Sequence, residues 1–379
     1  MSLIVDEHRE YLSDPARLAA FSRAIREVVR PGDVVADIGS GTGILGLFAL
    51  EAGAARVYSI EATGMIEIAR AIAARNGFGS RFHAVQRHSS EAHLPEPVDL
   101  FVSDFVGRFG FDAGIFEIYP EAAARLLRPG GLLLPSQLSM FLSPVERADM
   151  HEQVRFWSLP REGFDVSPGF QWAVNTGYPV TLHAHDLLAE PAALVSVATG
   201  SAPPSPFRTE LEMPITKSGT LHGLGGWSSA ALSPSVTMTN SPLATDRIAR
   251  RNVFLPIGQP FEVREGDTLR VRFALRSADQ IVSWRVDVPS RPEVTEVQTH
   301  STLHGMLIGR DDLERARPDF VPVLTPRGQG RLTILTLCDG KRPLREVEDL
   351  VFARHPDLFA SRGEAAAFVA EVVSRYARL

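Results

Sequence analysis

The sequence predicts three successive architectures: an α/β domain with a mainly parallel sheet, an antiparallel all-β domain, and a small helical end. Three observations carry this. Residues 15–135 alternate helical and strand-like periods. Residues 136–300 lose the helical period and gain Pro, Ser and Thr between short β-like runs. Residues 301–379 turn helical again. A chain of 379 residues suits two or three domains, and 44% hydrophobic with 22% charged residues excludes wholesale disorder.

In chain order, residues 16–29 place Leu18, Phe21, Ile25 and Val28 on one helical face. Asp14 is the expected N-cap, Pro15 the first helical residue, and Pro31-Gly32 the stop. A short buried strand follows at 34–36, a helix at 44–52, a strand at 56–60 and a helix at 65–76 that Gly77 ends. Residues 82–86, 100–103 and 132–134 read as further strands. Repeated β-α-β alternation implies a Rossmann-like parallel sheet with helices on both faces.

In the second block the β-like runs are 138–142, 193–198, 219–231, 252–255, 269–275 and 281–288, with turns such as Glu265-Gly266-Asp267. They predict an antiparallel barrel or sandwich. In the third block residues 328–337 lead into the turn Cys338-Asp339-Gly340-Lys341, and 344–352 and 362–378 are helices. Phe368, Val369, Val372, Val373 and Tyr376 form a core-facing stripe, and Cys338 is expected as a small buried residue. The expected domains are therefore 1–135, 136–300 and 301–379.

A net charge of −6 argues against a nucleic-acid-coating chain. No apolar run approaches a membrane span, so no membrane partner is expected. The single cysteine forbids an internal disulfide and a multi-thiolate zinc site. His83, His88 and His93 are spaced by five, which suits neither a helical nor a strand pair, and no metal is expected. These features fit a cytoplasmic protein.

The strongest chemical signal is Val34-Val35-Ala36-Asp37-Ile38-Gly39-Ser40-Gly41-Thr42-Gly43, a strand, an acid, and three alternating glycines entering a helix. Glycines let the backbone turn sharply and approach a bulky ligand. The acid repels a pyrophosphate and suits a ligand with a cationic end. Eighteen residues past Gly43, Glu61 ends the next strand, where a carboxylate accepts hydrogen bonds from a ribose diol. The string fits S-adenosylmethionine, a sulfonium donor. Gly41-x-Gly43-x-x-Gly46 leaves a nicotinamide dinucleotide as the competing reading.

Neighbouring residues make a family resemblance specific. His8-Arg9-Glu10-Tyr11-Leu12-Ser13-Asp14-Pro15-Ala16-Arg17 with Phe21 resembles the N-terminal helix motif of the protein arginine methyltransferases. Asp37 to Gly43 with Ile44-Leu45 resembles their donor loop, and Ile60-Glu61-Ala62 their following strand. Ser103-Asp104-Phe105-Val106-Gly107 is similar to the approach to their active-site loop, and Gly130-Gly131-Leu132-Leu133-Leu134-Pro135 to the domain exit. Phe156-Trp157 and Gly163-Phe164-Asp165-Val166-Ser167 resemble the start of their barrel and dimerisation segment, near 160–180; Ser241-Pro242, Val253-Phe254-Leu255 and Val263-x-x-Gly266 recur in order. The likeness covers roughly residues 5–290.

The resemblance implies a homodimeric adenosylmethionine-dependent methyltransferase. By matching position, Arg17 would pair with the donor carboxylate, Asp37 would lie near the donor amino acid or orient the loop, and Gly39, Gly41, Gly43, Ile44 and Leu45 would form the loop. Glu61 and Ala62 would flank the ribose, Ser89 and Ser90 the adenine, and Asp104 the donor and acceptor together. The family prefers an acid where Ser90 stands. His8 would touch the donor or substrate edge, or serve as a structural hydrogen-bonder.

The departures concern the acceptor. The family grips a guanidinium with two glutamates; here the matching positions hold Asp104 and Ala113, with Asp112 adjacent. Where the family has a Thr-His-Trp motif, this chain has Arg247-Ile248-Ala249, and Arg247 would suit an acidic acceptor or face solvent. The expectation is methyl transfer to a specialised peptide or small molecule, with Asp104, Asp112 and His8, in that order, as candidate bases. The alternatives are true arginine N-methylation through Asp104 and Asp112, and a non-catalytic donor-binding dimeric scaffold. Finally, residues 335–347 resemble the small winged-helix modules that bind leader peptides of ribosomally made natural products; a structural extension is the other reading.

Overall fold

The computed structural model describes residues 4–201, 205–291 and 298–377. They fall into two compact units, up to Met306 and from Leu307 onward.

The first unit opens with α1 (Ile4–Leu12) and α2 (Pro15–Val28). Asp14 caps α2 by accepting from Arg17 N, and Pro15 occupies the first turn, as its fixed φ allows. Ala20, Phe21, Ala24 and Ile25 form the buried face of α2. Then β1 (Val34–Ile38), α3 (Ile44–Glu51), β2 (Arg56–Ile60), α4 (Met65–Arg75), β3 (Phe82–Val85), β4 (Val98–Val102), α5 (Ile115–Leu126) and β5 (Leu127–Leu134) alternate. The strands pair in parallel in the order β3-β2-β1-β4-β5. β1 is buried along its whole length, as an inner strand covered on both faces must be. The order places the end of β1 between β2 and β4, at the point where the strand order reverses and α/β sheets open a crevice.

The chain continues through β6 (Gln137–Val145), α6 (Ala148–Arg155), α7 (Phe170–Ala173), β7 (Tyr178–Val180), β8 (Ala192–Ala198), β9 (Phe207–Pro214), β10 (Gly219–Ala231), β11 (Thr237–Thr239), β12 (Asn252–Val263), β13 (Thr268–Arg276), β14 (Ile281–Asp287) and β15 (Gln298–Ser301). β7-β12-β10-β6-β8 form one antiparallel sheet, with β11 on β10, and β15-β14-β13-β9 another. Leu138, Met140, Leu221, Leu224, Leu255, Val271 and Phe273 belong to a core that is continuous with Phe21, Ile25 and Leu50 of the α/β part. The two parts therefore share one hydrophobic interior.

The second unit holds α8 (Arg310–Arg315), α9 (Pro326–Leu337), α10 (Leu344–Arg354) and α11 (Arg362–Tyr376) around Ile334, Leu337, Val347, Val351, Phe368, Val369 and Val372. Thr325 and Ser361 cap α9 and α11. Arg378, at the end of the expected last helix, lies outside the described residues. This unit is helical; no strand, and so no wing, occurs among its described residues. Gly340, with φ +74°, makes the expected turn, and Asp339 Oδ1 accepts from Lys341 N and Arg342 N. Cys338 corrects an expectation: it ends α9 exposed rather than buried, because the turn carries it off the apolar stripe. The unit also starts later than composition suggests. Ser301 N donates to Asn175 Oδ1 (2.8 Å) and Thr302 N to Val282 O (2.9 Å), which binds residues past 300 to the barrel. Among the described residues no helix is long and apolar enough to cross a membrane.

Candidate active site

A cleft of about 950 Å³ opens where the β1 and β2 ends, α1, the loop after β4 and the barrel segment 249–251 meet. Its floor includes bare backbone at Gly39, and the turn continues behind it through Gly41. Gly39 and Gly41 have φ of +65° and +53°. A Cβ on Gly39 would lie 2.1 Å from the Phe105 ring, and one on Gly41 would lie 2.3 Å from the His8 ring. Only glycine serves both the left-handed turn and that close approach.

Glu61, at the end of β2, is nearly buried and faces the cleft. Its Oε2 accepts from Gly41 N (3.1 Å) and its Oε1 from Thr63 N (2.8 Å), which fixes the carboxylate beside the glycine turn. Arg17 is 6% exposed, held between the Tyr11 and Phe21 rings at 5.5 and 5.3 Å, and donates from Nη1 to Tyr11 O. α2 aims it into the cleft because Asp14 caps that helix and also accepts from Ala249 N of the barrel (2.7 Å).

Asp37 lies behind the floor. Its Oδ2 accepts from Gly46 N (2.9 Å), and its Oδ1 is buried without a hydrogen-bond partner. Burial pushes its pKa up to about 7, against the Gly46 N–H and the Arg17 charge that favour the carboxylate. Asp104 is the opposite case. Burial alone would raise it, but Arg250 and Arg17 hold it below the usual carboxylate value. Both guanidinium groups donate to its Oδ2, Arg17 Nε at 2.6 Å and Arg250 Nη2 at 2.7 Å, while its Oδ1 is buried and unpartnered.

The loop after β4 is anchored from the barrel. Phe109 packs edge-on against Phe273 at 5.9 Å, and the bare Cα of Gly226 leaves room for its ring. Asp112 closes the loop on itself, its Oδ2 accepting from Arg108 N (3.0 Å) and its Oδ1 from Phe109 N (2.9 Å). Asn240, 2% exposed, accepts from Ser228 N and donates from Nδ2 to Arg108 O (2.9 Å) and Arg251 O (3.0 Å). One amide thus sets the spacing between the loop and the segment that carries Arg250.

Of the residues singled out in the sequence, His8, Arg17, Gly39, Ile44, Leu45, Glu61, Ala62, Ser89, Asp104 and Asp112 line this cleft. Asp37, Gly41, Gly43 and Ser90 are not in its wall. Ser90 is turned to the exposed His88, whose Nδ1 lies 2.8 Å from its Oγ. Asp104, ranked first as a base, is placed as a doubly ion-paired carboxylate, which has little tendency to take a proton. Asp112, ranked second, spends both oxygens on the loop backbone. Arg247 takes a structural role instead of facing an acceptor: its Nη1 donates to Leu182 O (2.5 Å), because the barrel segment turns it away from the cleft. Arg250 and Asn240 were not foreseen. No motif marks them, since the contacts that tie them to the loop after β4, Arg250 to Asp104 and Asn240 to Arg108, span more than a hundred residues. A cluster of His183, His185 and Asp186 lies outside the cleft; Asp186 Oδ2 already accepts from His183 N and Arg147 Nη1.

The residues present fit an adenosylmethionine molecule. A recessed cationic fork suits its carboxylate, bare glycine backbone admits its body, and a fixed carboxylate at the β2 end suits a diol.

Comparison with known proteins bears on the same regions. Residues 136–288 match the family model described as arginine methyltransferase oligomerization subdomain, and residues 21–138 match that of ribosomal protein L11 methyltransferase (PrmA). The chain is 29% identical over 252 residues to protein arginine N-methyltransferase 6 of Xenopus tropicalis, covering 63% of this chain and 74% of that one. It is 28% identical over 272 residues to arginine N(omega)-methyltransferase of Streptomyces achromogenes subsp. streptozoticus, covering 70% and 74%. The fold matches that of the Trypanosoma brucei PRMT1 enzyme-prozyme heterotetrameric complex with AdoHcy, with a TM-score of 0.71 at 22% identity, over 78% of this chain and 97% of that one.

Proposed function

The chain is a divergent arginine-methyltransferase-like protein, a class I adenosylmethionine-dependent methyltransferase, and on that premise we propose that it methylates a specialised peptide or small molecule rather than a basic protein tail. The observation that carries this is the state of the acidic loop. Asp104 is shared by Arg17 and Arg250, Asp112 is tied to backbone N–H groups, and the next residue is Ala113.

Arg17 would hold the donor carboxylate, Glu61 its ribose hydroxyls, and Ser89 would lie on the adenine side. When bound, the donor supplies a methyl carbon on a cationic sulfur, and displacement by the acceptor's lone pair leaves the electron pair of the broken bond on that sulfur. The chain's task is then alignment, with the reacting atoms held near contact distance, ~3–3.5 Å. The loop after β4 and the segment 249–251 form the acceptor wall. Of the three candidate bases, His8 is the one not committed to an ion pair or to loop backbone. An acceptor that keeps a lone pair at neutral pH needs no prior deprotonation.

The names of the relatives favour a second reading, arginine as the acceptor. Incubation with labelled donor, free arginine and an arginine-rich peptide tests both. The first reading expects no labelled arginine product; efficient labelling of either arginine substrate overturns it. We further propose a homodimer, supported by the exposed Phe156, Trp157, Phe164 and Trp172 around α6 and α7 and by the matched oligomerization subdomain.

A further inference from the structure

We propose that Arg250 sets the acceptor class: it occupies the seat against Asp104 that a cationic acceptor would need, so the cleft takes an acceptor whose reacting end is uncharged or anionic. This rests on the methyltransferase reading above and adds to it the chemistry of the substrate.

The charge balance is the first argument. Arg17 Nε and Arg250 Nη2 meet the same oxygen of Asp104 at 2.6 and 2.7 Å. The three side chains are 7%, 13% and 12% exposed, so solvent screens them little. Two cations on one carboxylate leave a positive seat. A third cation arriving there meets repulsion in a medium less polarisable than water.

The second argument is that Arg250 is built in. Its Nη1 donates to Gly107 O. Its chain neighbours are pinned on both sides, Ala249 N to Asp14 Oδ2 and Arg251 O to Asn240 Nδ2. A guanidinium held this way presents its N–H groups as a preformed fork, the geometry that matches carboxylate or phosphate. Arg108 and Arg251 add cations to the same wall.

The third argument concerns the remaining acids. Asp112 is consumed by the loop backbone, and Glu7 accepts from Tyr11 on exposed α1. Asp104 Oδ1 is buried and without a partner, so with Oδ2 taken by two arginines the carboxylate offers an incoming cation no open edge. A planar cation would need a second carboxylate beside Asp104, and the loop after β4 leaves none free there; Glu10, also in the lining, lies on exposed α1.

Ethylguanidine is the probe, titrated calorimetrically into the full chain with adenosylhomocysteine present. The proposal expects no saturable binding to the native protein. Arg250→Ala, or Arg250→Met where the smaller residue impairs folding, should bind it at least about tenfold more tightly. Adding Asp104→Asn should abolish that gain. Binding to the native protein as tight as to the variants overturns the proposal. So does a folded, adenosylhomocysteine-binding Arg250 variant that gains nothing. The native protein decides alone if neither variant folds. Absence of adenosylhomocysteine binding to the native protein would instead overturn the methyltransferase reading.

Discussion

Asp104 carries two guanidinium groups on a single oxygen, and that decides its chemistry. A carboxylate that neutralises two buried arginines is a structural anion. Asp104→Asn leaves both cations uncompensated and should destabilise the protein by about 3–5 kcal/mol, read as a lower urea midpoint at pH 7. The sign with pH follows. Its folded pKa is below the ordinary value, so its contribution is present above the ordinary carboxylate range and is lost as pH falls through the lowered value. Asp37 runs the other way. With a folded pKa near 7 against an ordinary 3.8, the folded state holds a proton that the unfolded chain has released between those values. Stability of the ligand-free protein should fall as pH rises from about 4 to about 7, by at most about 4 kcal/mol, and Asp37→Asn should flatten that slope in a pH series of denaturation curves. Both residues were visible in the sequence by type and position. Their opposite protonation behaviour was not, because that of Asp37 depends on burial and that of Asp104 on Arg250, 146 residues away.

Among the elements, the strands flanking the glycine turn were legible because short apolar runs between turn residues have few other uses. α5 escaped because Pro120 interrupts its pattern; the helix carries that proline within its length, at the cost of one backbone hydrogen bond, with Ile115, Phe116 and Tyr119 buried around it. β9 escaped because Arg208, Glu210 and Glu212 read as solvated charge. In the structure Glu210 faces Arg270 and Arg272 of β13 across the sheet, at 3.5 and 2.6 Å, while Met213 turns to the core. The loop after β4 was legible as a site, but its support was not, since Asn240 sits in a polar stretch with no motif. Asn240→Ala removes bonds to Ser228, Arg108 and Arg251 together. It should cost roughly 2–3 kcal/mol and loosen the acceptor wall, seen as faster amide exchange at 104–113 and 249–252.

At the level of the whole molecule, the α/β part supplies one side of the cleft, the proposed donor seat, and the barrel, through Ala249 to Arg251, supplies the side proposed to face the acceptor. The shared hydrophobic interior makes them one folding unit, while the helical unit from Leu307 has a core of its own. The aromatic patch at 156–172 predicts self-association. Phe164, 74% exposed, should tolerate Phe164→Glu as a folded chain; the native protein is expected to sediment as a dimer and this variant as a monomer. The central claim is that the glycine turn, Arg17 and Glu61 form the seat of a sulfonium donor. Calorimetric titration of adenosylhomocysteine tests it most directly. The account predicts saturable binding at one site per chain, weakened at least about tenfold by Arg17→Ala, and none for a nicotinamide dinucleotide. Absence of binding at millimolar adenosylhomocysteine, or saturable binding of the dinucleotide in its place, would contradict it.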